Sequence, residues 1–209
     1  YYLILFAAYD RLPAQVAQPI NYTWAIVLTL MSIYFLKQRM TARDLVAAAV
    51  CYAGVVLIAT QGQWQLTSIV NISGVMLALA STVIWAGYWI LNIRDSREPL
   101  LALSLNFLCA LPVALLGCML FSTPVVSVGP GLGAALYIGI FEMGLAFLCW
   151  SQALKLAENT SRVSNLIFLS PFLSLVLIHY ILGEPIYSTT YIGLAIIVGG
   201  LLWQKTGRN

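Results

Sequence analysis

Apolar runs of about 20 residues recur from Tyr1 to Trp203, separated by short polar punctuation, and this pattern fixes the solvent in which the chain can fold. In hydrocarbon no water reaches the backbone, so every N–H and C=O must be satisfied internally, which leaves α-helices or closed β-barrels. Barrel strands read as alternating segments of about 10 residues. These runs are longer and do not alternate, so they are helices. Composition agrees: 61% of the 209 residues are hydrophobic and 8% are charged, against roughly 25% charged in a soluble domain. A signal peptide or a lone anchor supplies one apolar block rather than a series. The expected fold is an all-α polytopic membrane protein embedded in the lipid bilayer.

Helices are expected over Tyr1–Ala8, Gln15–Leu36, Asp44–Thr60, Ile72–Ile93, Leu100–Phe121, Leu132–Leu156, Val163–Leu182 and Thr190–Trp203. The first gives about 12 Å of helix against a hydrocarbon core of about 30 Å, and the chain starts with tyrosine instead of methionine. It therefore reads as a partial span, with two further helices and the start of this one expected ahead of Tyr1 in the natural protein.

The loops alternate in charge. Lys37, Arg39 and Arg43 precede the third helix, Arg94 and Arg97 follow the fourth, Lys155 and Arg162 flank the next such turn, and Lys205 and Arg208 close the chain. Nine of the ten basic residues thus lie on one side, and only Arg11 departs from the pattern. By the positive-inside rule that side and the C-terminus are cytoplasmic, as in a multi-pass protein of a bacterial inner membrane. Dispersed between spans, these residues form no basic stripe, so the net charge of +3 is a topology signal and not a nucleic-acid footprint. Cys51, Cys109, Cys118 and Cys149 fall inside apolar runs without CxxC spacing or a histidine partner, so no disulfide framework, metal or cofactor follows.

Sliding the chain on itself so that Ala25 falls on Pro171 and Val55 on Leu201 brings Leu36-Lys37-Gln38-Arg39 onto Leu182-Gly183-Glu184-Pro185, and Ala53-Gly54 onto Gly199-Gly200. Five helices separate the copies, an odd number, so the copies lie in opposite orientations across the membrane. Inverted repeats of this kind build secondary transporters, in which two half-bundles rock about a site near the midplane.

Further residues carry a family resemblance. Gly139-Ile140-Phe141-Glu142-Met143-Gly144, then Trp150-Ser151-Gln152-Ala153-Leu154, then Ser170-Pro171-Phe172 and Leu182-Gly183-Glu184-Pro185 resemble, in order and spacing, the second repeat of the EamA-type transporters of the drug/metabolite superfamily. The first copy departs more: Ala25 stands where many relatives carry proline, and Gln38 where the family usually has glutamate. Asn21-Tyr22-Thr23-Trp24 and Ile84-Trp85-Ala86-Gly87-Tyr88 are similar to the YddG-like amino-acid exporter branch. The resemblance implies an inverted-repeat bundle of two five-helix halves. Residues 1–61 would be the C-terminal part of the first repeat and residues 72–205 the second.

Glu142 is the sharpest single signal, a carboxylate deep in an apolar span where it is costly unless it faces a cavity or a partner. It is expected to point into the bundle and either to bind a coupling proton or a cationic part of a substrate, or to fix helix packing. Trp85, Tyr88, Trp89 and Asn92 share one helical face and either line a pocket or anchor and pack. Asn21, Tyr22 and Trp24 combine an amide with aromatics just after Pro19, where a broken helix can free carbonyls for a ligand or simply be a tolerated kink. Asn165, Asn106 and Ser170 are lesser candidates of the same kind, and His179 reads as an interfacial residue.

Paired aspartates, a His-Glu-x-x-His helix and a Gly-x-Ser-x-Gly elbow are absent, which argues against an intramembrane enzyme. No large soluble module or repeated filter loop points to a scaffold or channel, and no nucleotide-binding loop is present. The reading is alternating-access export or exchange of amino acids or similar small metabolites, driven by an ion or substrate gradient. A membrane enzyme and a non-transporting scaffold or channel are the alternatives.

Overall fold

The structure is a computed structural model that describes residues 1–12, 17, 20–60, 71–121, 129–182 and 188–206. Pro19, the turn Gly183-Glu184-Pro185 and Arg208 fall outside the described residues, as do the side chains of Pro171 and Lys205. Helices are α1 (Tyr2–Tyr9), α2 (Trp24–Phe35), α3 (Ala42–Thr60), α4 (Ile72–Arg94) and α5 (Pro99–Phe121), then α6 (Pro130–Tyr137), which passes through a π-helical segment (Ile138–Ala146) into α7 (Phe147–Leu156). The series ends with α8 (Thr160–Ser164), a 3-10 turn (Asn165–Leu169), α9 (Ser170–Leu182) and α10 (Ser188–Thr206). No strand occurs among the described residues.

Ile72–Arg94, Pro99–Phe121 and Gly131–Leu156 are 23, 23 and 26 residues long with mean hydropathies of 1.7, 2.2 and 1.9. At about 1.5 Å per residue each exceeds the hydrocarbon thickness of about 30 Å. Their outer faces carry side chains that water would not tolerate in a row: Leu108, Leu111, Leu115, Leu116, Met119 and Leu120 of α5 are all exposed. Lipid is the solvent that makes such a surface stable, and the protein is an all-α integral membrane bundle.

The chain forms two compact units, one of Tyr1–Ile90 with Ala157–Asn209 and one of Leu91–Leu156. The first unit is organised by α3 and α10, which run antiparallel. A Cβ added at Gly54 would come within 2.7 Å of the Gly193 carbonyl and of Ile197, and one added at Gly193 within 2.8 Å of the Gly54 carbonyl. Small residues let the two backbones approach, the usual way for helices to gain packing energy where lipid removes the hydrophobic drive.

These contacts obey the internal repeat. The shift that carries Ala25 onto Pro171 also carries Cys51 onto Ile197, and the Cys51 Sγ donates to the Ile197 carbonyl at 3.5 Å. Under the same shift the approach of Gly54 to Ile197 becomes that of Gly200 to Cys51, where an added Cβ would meet Sγ at 2.8 Å. The α3–α10 pair therefore has a local two-fold relation centred on Cys51 and Ile197.

Charge segregation along the chain becomes proximity in space. Arg43, at the start of α3, donates from Nε to the Trp203 carbonyl at 2.7 Å and from NH2 to Thr206 Oγ1 at 2.7 Å, with its guanidinium 4.9 Å from the Trp203 ring centroid. The end of α2 joins the same end of the unit, because the Gln38 Oε1 accepts from the Thr160 N–H at 3.1 Å. In the second unit Lys155 Nζ donates to the carbonyls of Asp95 and Arg97, both at 2.7 Å. Within each unit the basic loops thus share one end.

Candidate substrate site

Trp85 is the centre of an aromatic cluster in the first unit. Its position on α4 puts Tyr88 and Trp89, three and four residues on, along the same face. Tyr88 stacks on Trp85 with ring centroids 5.5 Å apart and an interplanar angle of 20°, and Tyr1 stacks on it at 4.3 Å and 25°. Trp24 and Trp89 meet Trp85 edge-on at 6.5 and 5.6 Å. Such stacked and edge-to-face pairs contribute about 0.5–1.5 kcal/mol each beyond area burial, enough to hold the rings in one arrangement. Trp24 and Trp89 are buried, whereas Tyr1, Trp85 and Tyr88 are half-buried and keep ring surface accessible.

Polar groups meet the cluster at Tyr1 and lie near it in sequence at Tyr22. Asn21 is buried, and its Oδ1 accepts from the Tyr1 hydroxyl at 3.2 Å and from Ser81 Oγ at 3.5 Å. The Tyr22 hydroxyl pairs with Ser170 Oγ at 3.0 Å, joining the two halves of the sequence repeat. Between Tyr22 and Trp24 the helix is interrupted by a turn at Thr23, whose Oγ1 donates to the Ile20 carbonyl at 2.6 Å. Aromatic walls with a few fixed polar groups suit a small organic ligand.

The expected residues divide into three groups. Asn21, Tyr22, Trp24, Trp85 and Tyr88 lie in the first unit, with Trp24 and Tyr88 against Trp85. Asn165 is fully buried in that unit, but its Nδ2 donates to Gln204 Oε1 at 3.1 Å, so its bond is to α10. Glu142 belongs to the second unit and lies exposed within the π-helical segment, of which no residue is buried. Asn92 falls in the second unit, where its Oδ1 accepts from Asn106 Nδ2 at 3.2 Å.

Tyr1 and Ser81 were not legible as site residues. Every residue of α1 is apolar or aromatic, so no face is marked, and serine is common in membrane helices. A second polar group was also hidden. Asp44 forms a capping box with Thr41: its Oδ2 accepts from the Thr41 N–H at 3.1 Å and from Thr41 Oγ1 at 3.0 Å, while the Asp44 N–H donates to Thr41 Oγ1 at 3.3 Å. The spacing Thr41-x-x-Asp44 is the signal that finds this cap. It does not disclose the cross-chain bond from Gln204 Nε2 to Asp44 Oδ1 at 2.8 Å.

Residues 1–60 and 72–204 match the model of the EamA-like transporter family. The chain belongs to this family. Among individual EamA-like and other transporters, it is 28% identical to an uncharacterized transporter of Archaeoglobus fulgidus, over 96% of this chain and 70% of that protein. It is 27% identical to the uncharacterized transporter YyaM of Bacillus subtilis, over 85% of this chain and 59% of that protein. It is 26% identical to the aromatic amino acid exporter YddG of Ancylobacter novellus, over 96% of this chain and 70% of that protein. A solved crystal structure superposes with a TM-score of 0.87 at 25% identity, covering 98% of this chain and 73% of the other. An EamA-type bundle accounts for the helices, the lipid-facing leucines and the inverted α3–α10 pair together.

Proposed function

We propose that the protein is a secondary carrier that exports or exchanges amino acids or similar small metabolites by alternating access, with Asn21, Tyr22, Trp24, Trp85 and Tyr88 at the substrate. The observation that carries this reading is the stack of Tyr1, Trp85 and Tyr88 beside the Asn21 amide. Ring faces attract an apolar or planar side chain, and an amide with neighbouring hydroxyls orients a polar head group. Similarity to a protein named as an aromatic amino acid exporter supports the same solute class.

Residues 1–61 and 72–205 act in this proposal as the end of the first repeat and as the second, in a bacterial inner membrane with the basic ends and the C-terminus cytoplasmic. Glu142 supports proton coupling. A carboxylate exposed on an apolar helix is too costly to leave facing lipid, so it meets a cavity or a partner as the carrier moves. Asn165 contributes through its bond to Gln204.

The test is flux of a labelled amino-acid panel through the full-length protein in proteoliposomes, with and without a pH gradient, alongside the Glu142→Gln variant. Saturable flux that follows the gradient and is lost in Glu142→Gln is expected. Gradient-driven flux unchanged in Glu142→Gln would remove the proton role, and no flux for any solute would contradict the carrier reading.

A further inference from the structure

We infer that Asp44 and Gln204 form the fixed half of a hydrogen-bonded latch whose moving half is the short α8 segment, and that undocking α8 opens the basic end of the carrier. This rests on the alternating-access reading above and adds to it the place where one mouth is held shut.

The fixed half is built on the closely packed α3–α10 pair. Asp44 and Gln204 sit at the ends of α3 and α10, joined at 2.8 Å, on two helices locked together further in by the reciprocal approach of Gly54 and Gly193. Both side chains are buried, with exposures of 3%. A buried carboxylate needs its lone pairs filled, and here neutral donors fill them: Gln204, the Thr41 hydroxyl and N–H, and Asn159. The Asn159 bond is the arm that reaches out of the α3–α10 pair.

The moving half is short and irregular. α8 is five residues long and runs straight into a 3-10 turn, so little of its stability comes from its own backbone. With its flanking Asn159 and Asn165 it docks through a set of polar contacts. Asn159 Nδ2 donates to Asp44 Oδ2 at 3.3 Å and the Thr160 N–H donates to Gln38 Oε1 at 3.1 Å. Asn165 Nδ2 donates to Gln204 Oε1 at 3.1 Å, and Gln204 Nε2 reaches Ser161 Oγ at 3.5 Å. Asn159 also caps α8, its Oδ1 accepting from the Ser161 N–H at 2.9 Å, so one side chain couples the fold of the segment to its docking.

Docking is not fully satisfied. Asn165 Oδ1 and Thr160 Oγ1 are buried without a hydrogen-bond partner, and the Thr29–Ser164 hydroxyl pair beneath them is long at 3.3 Å. Unpaired buried polar groups oppose the docked state while the Asp44 arm favours it, which is how a contact becomes releasable instead of permanent.

The test uses the full-length protein with Cys51, Cys109, Cys118 and Cys149 replaced by serine and a Ser164→Cys reporter, since Ser164, on the docked segment itself, has zero exposure. Asn159→Asp keeps the cap acceptor but turns the arm from a donor into a like charge facing Asp44. Labelling by a membrane-impermeant maleimide applied at the basic end should then quicken about tenfold. Adding Asp44→Asn removes the like charge and gives the new carboxylate a donor, though the Thr41 N–H then loses an acceptor, so labelling should slow again part-way towards the parent rate, a rescue that general destabilisation does not produce. In a second measurement, joining Asn159→Cys to Asp44→Cys with a short bifunctional thiol reagent should halt flux until the link is reduced. Unchanged labelling in a folded Asn159→Asp variant, or undiminished flux through the linked pair, overturns the latch. Should the parent carry no solute, the transport reading fails, and the labelling rates alone still decide whether Asp44 and Asn159 hold α8 down.

Discussion

Tyr1 stacks on Trp85 with ring centroids 4.3 Å apart, and Tyr88, three residues on in α4, stacks on the same indole at 5.5 Å. The residue that precedes α1 and two residues of α4 thus stack together. Replacing Trp85 by alanine removes both stacks, each worth about 0.5–1.5 kcal/mol, and should raise the half-saturation concentration for the transported solute about tenfold. Trp85→Phe keeps a ring and should recover most of that loss. Equal half-saturation in wild type and Trp85→Ala, read from concentration-dependent flux, would separate the cluster from substrate binding.

The Gly54–Gly193 approach sets a stability prediction. A Cβ at Gly54 meets a backbone carbonyl at 2.7 Å, and a carbonyl held in a helix cannot swing away as a side chain can. Gly54→Ala should destabilise the bundle by about 1–3 kcal/mol, seen as a lower midpoint in thermal unfolding in detergent. Gly117→Ala on α5 is the control, because nothing lies within 4 Å of its added Cβ. That variant should match wild type or exceed it slightly, alanine being the better helix former.

Lys37 is the described non-glycine residue with a positive φ, at 52°, and it turns the chain out of α2 so that the Gln38 N–H reaches the Ser32 carbonyl at 3.3 Å. Left-handed backbone costs a lysine about 1 kcal/mol relative to glycine. Lys37→Gly should therefore raise the thermal midpoint while keeping the Gln38–Thr160 bond. A lowered midpoint would mean that the lysine side chain contributes more than its backbone costs.

Asp95 gives a pH dependence. Hydrogen bonds from the Arg97 guanidinium, then from the Arg97 N–H, hold its carboxyl at about 2 against an ordinary 3.8. Because the folded value is the lower one, the bonded loop is favoured above the ordinary value and loses that support as pH falls from 3.8 towards 2. Carbon-13 titration of labelled aspartates in nanodiscs should find this carboxyl ionised well below pH 3.8, and Arg97→Ala should move its midpoint back towards that value. A midpoint unaffected by Arg97→Ala would contradict the assignment.

Much of the fold was legible because lipid enforces it. Once each apolar run had to satisfy its own backbone, helices at Ile72–Ile93 and Leu100–Phe121 followed from length alone, and α4 and α5 occupy nearly those residues. The register of the repeat was legible too, since glycines placed by close packing recur with it at Gly54 and Gly200. The π-helical stretch around Glu142 was not, because one changed hydrogen-bond spacing leaves no mark on hydropathy.

Of the site, the residues repeating on one helix were readable and those meeting across helices were not. Trp85 and Tyr88 follow from helical periodicity, whereas Tyr1 reaches Trp85 only through tertiary placement of a uniformly apolar helix. Asp44 reads locally as a helix cap, and its bond to Gln204 depends on the antiparallel α3–α10 pairing. The bond from Asn106 to the Asn92 amide likewise joins two helices and left no mark in the sequence.

The most direct single measurement is counterflow: proteoliposomes holding the full-length protein are loaded with one unlabelled amino acid, and entry of the labelled form is followed with no ion gradient. Saturable accumulation in wild type that is strongly reduced in Trp85→Ala and largely retained in Trp85→Phe is the expected result, since exchange needs the binding site but no driving ion. Counterflow equal in all three proteins, or absent for every solute in a correctly folded sample, would contradict a carrier whose substrate site is built around Trp85.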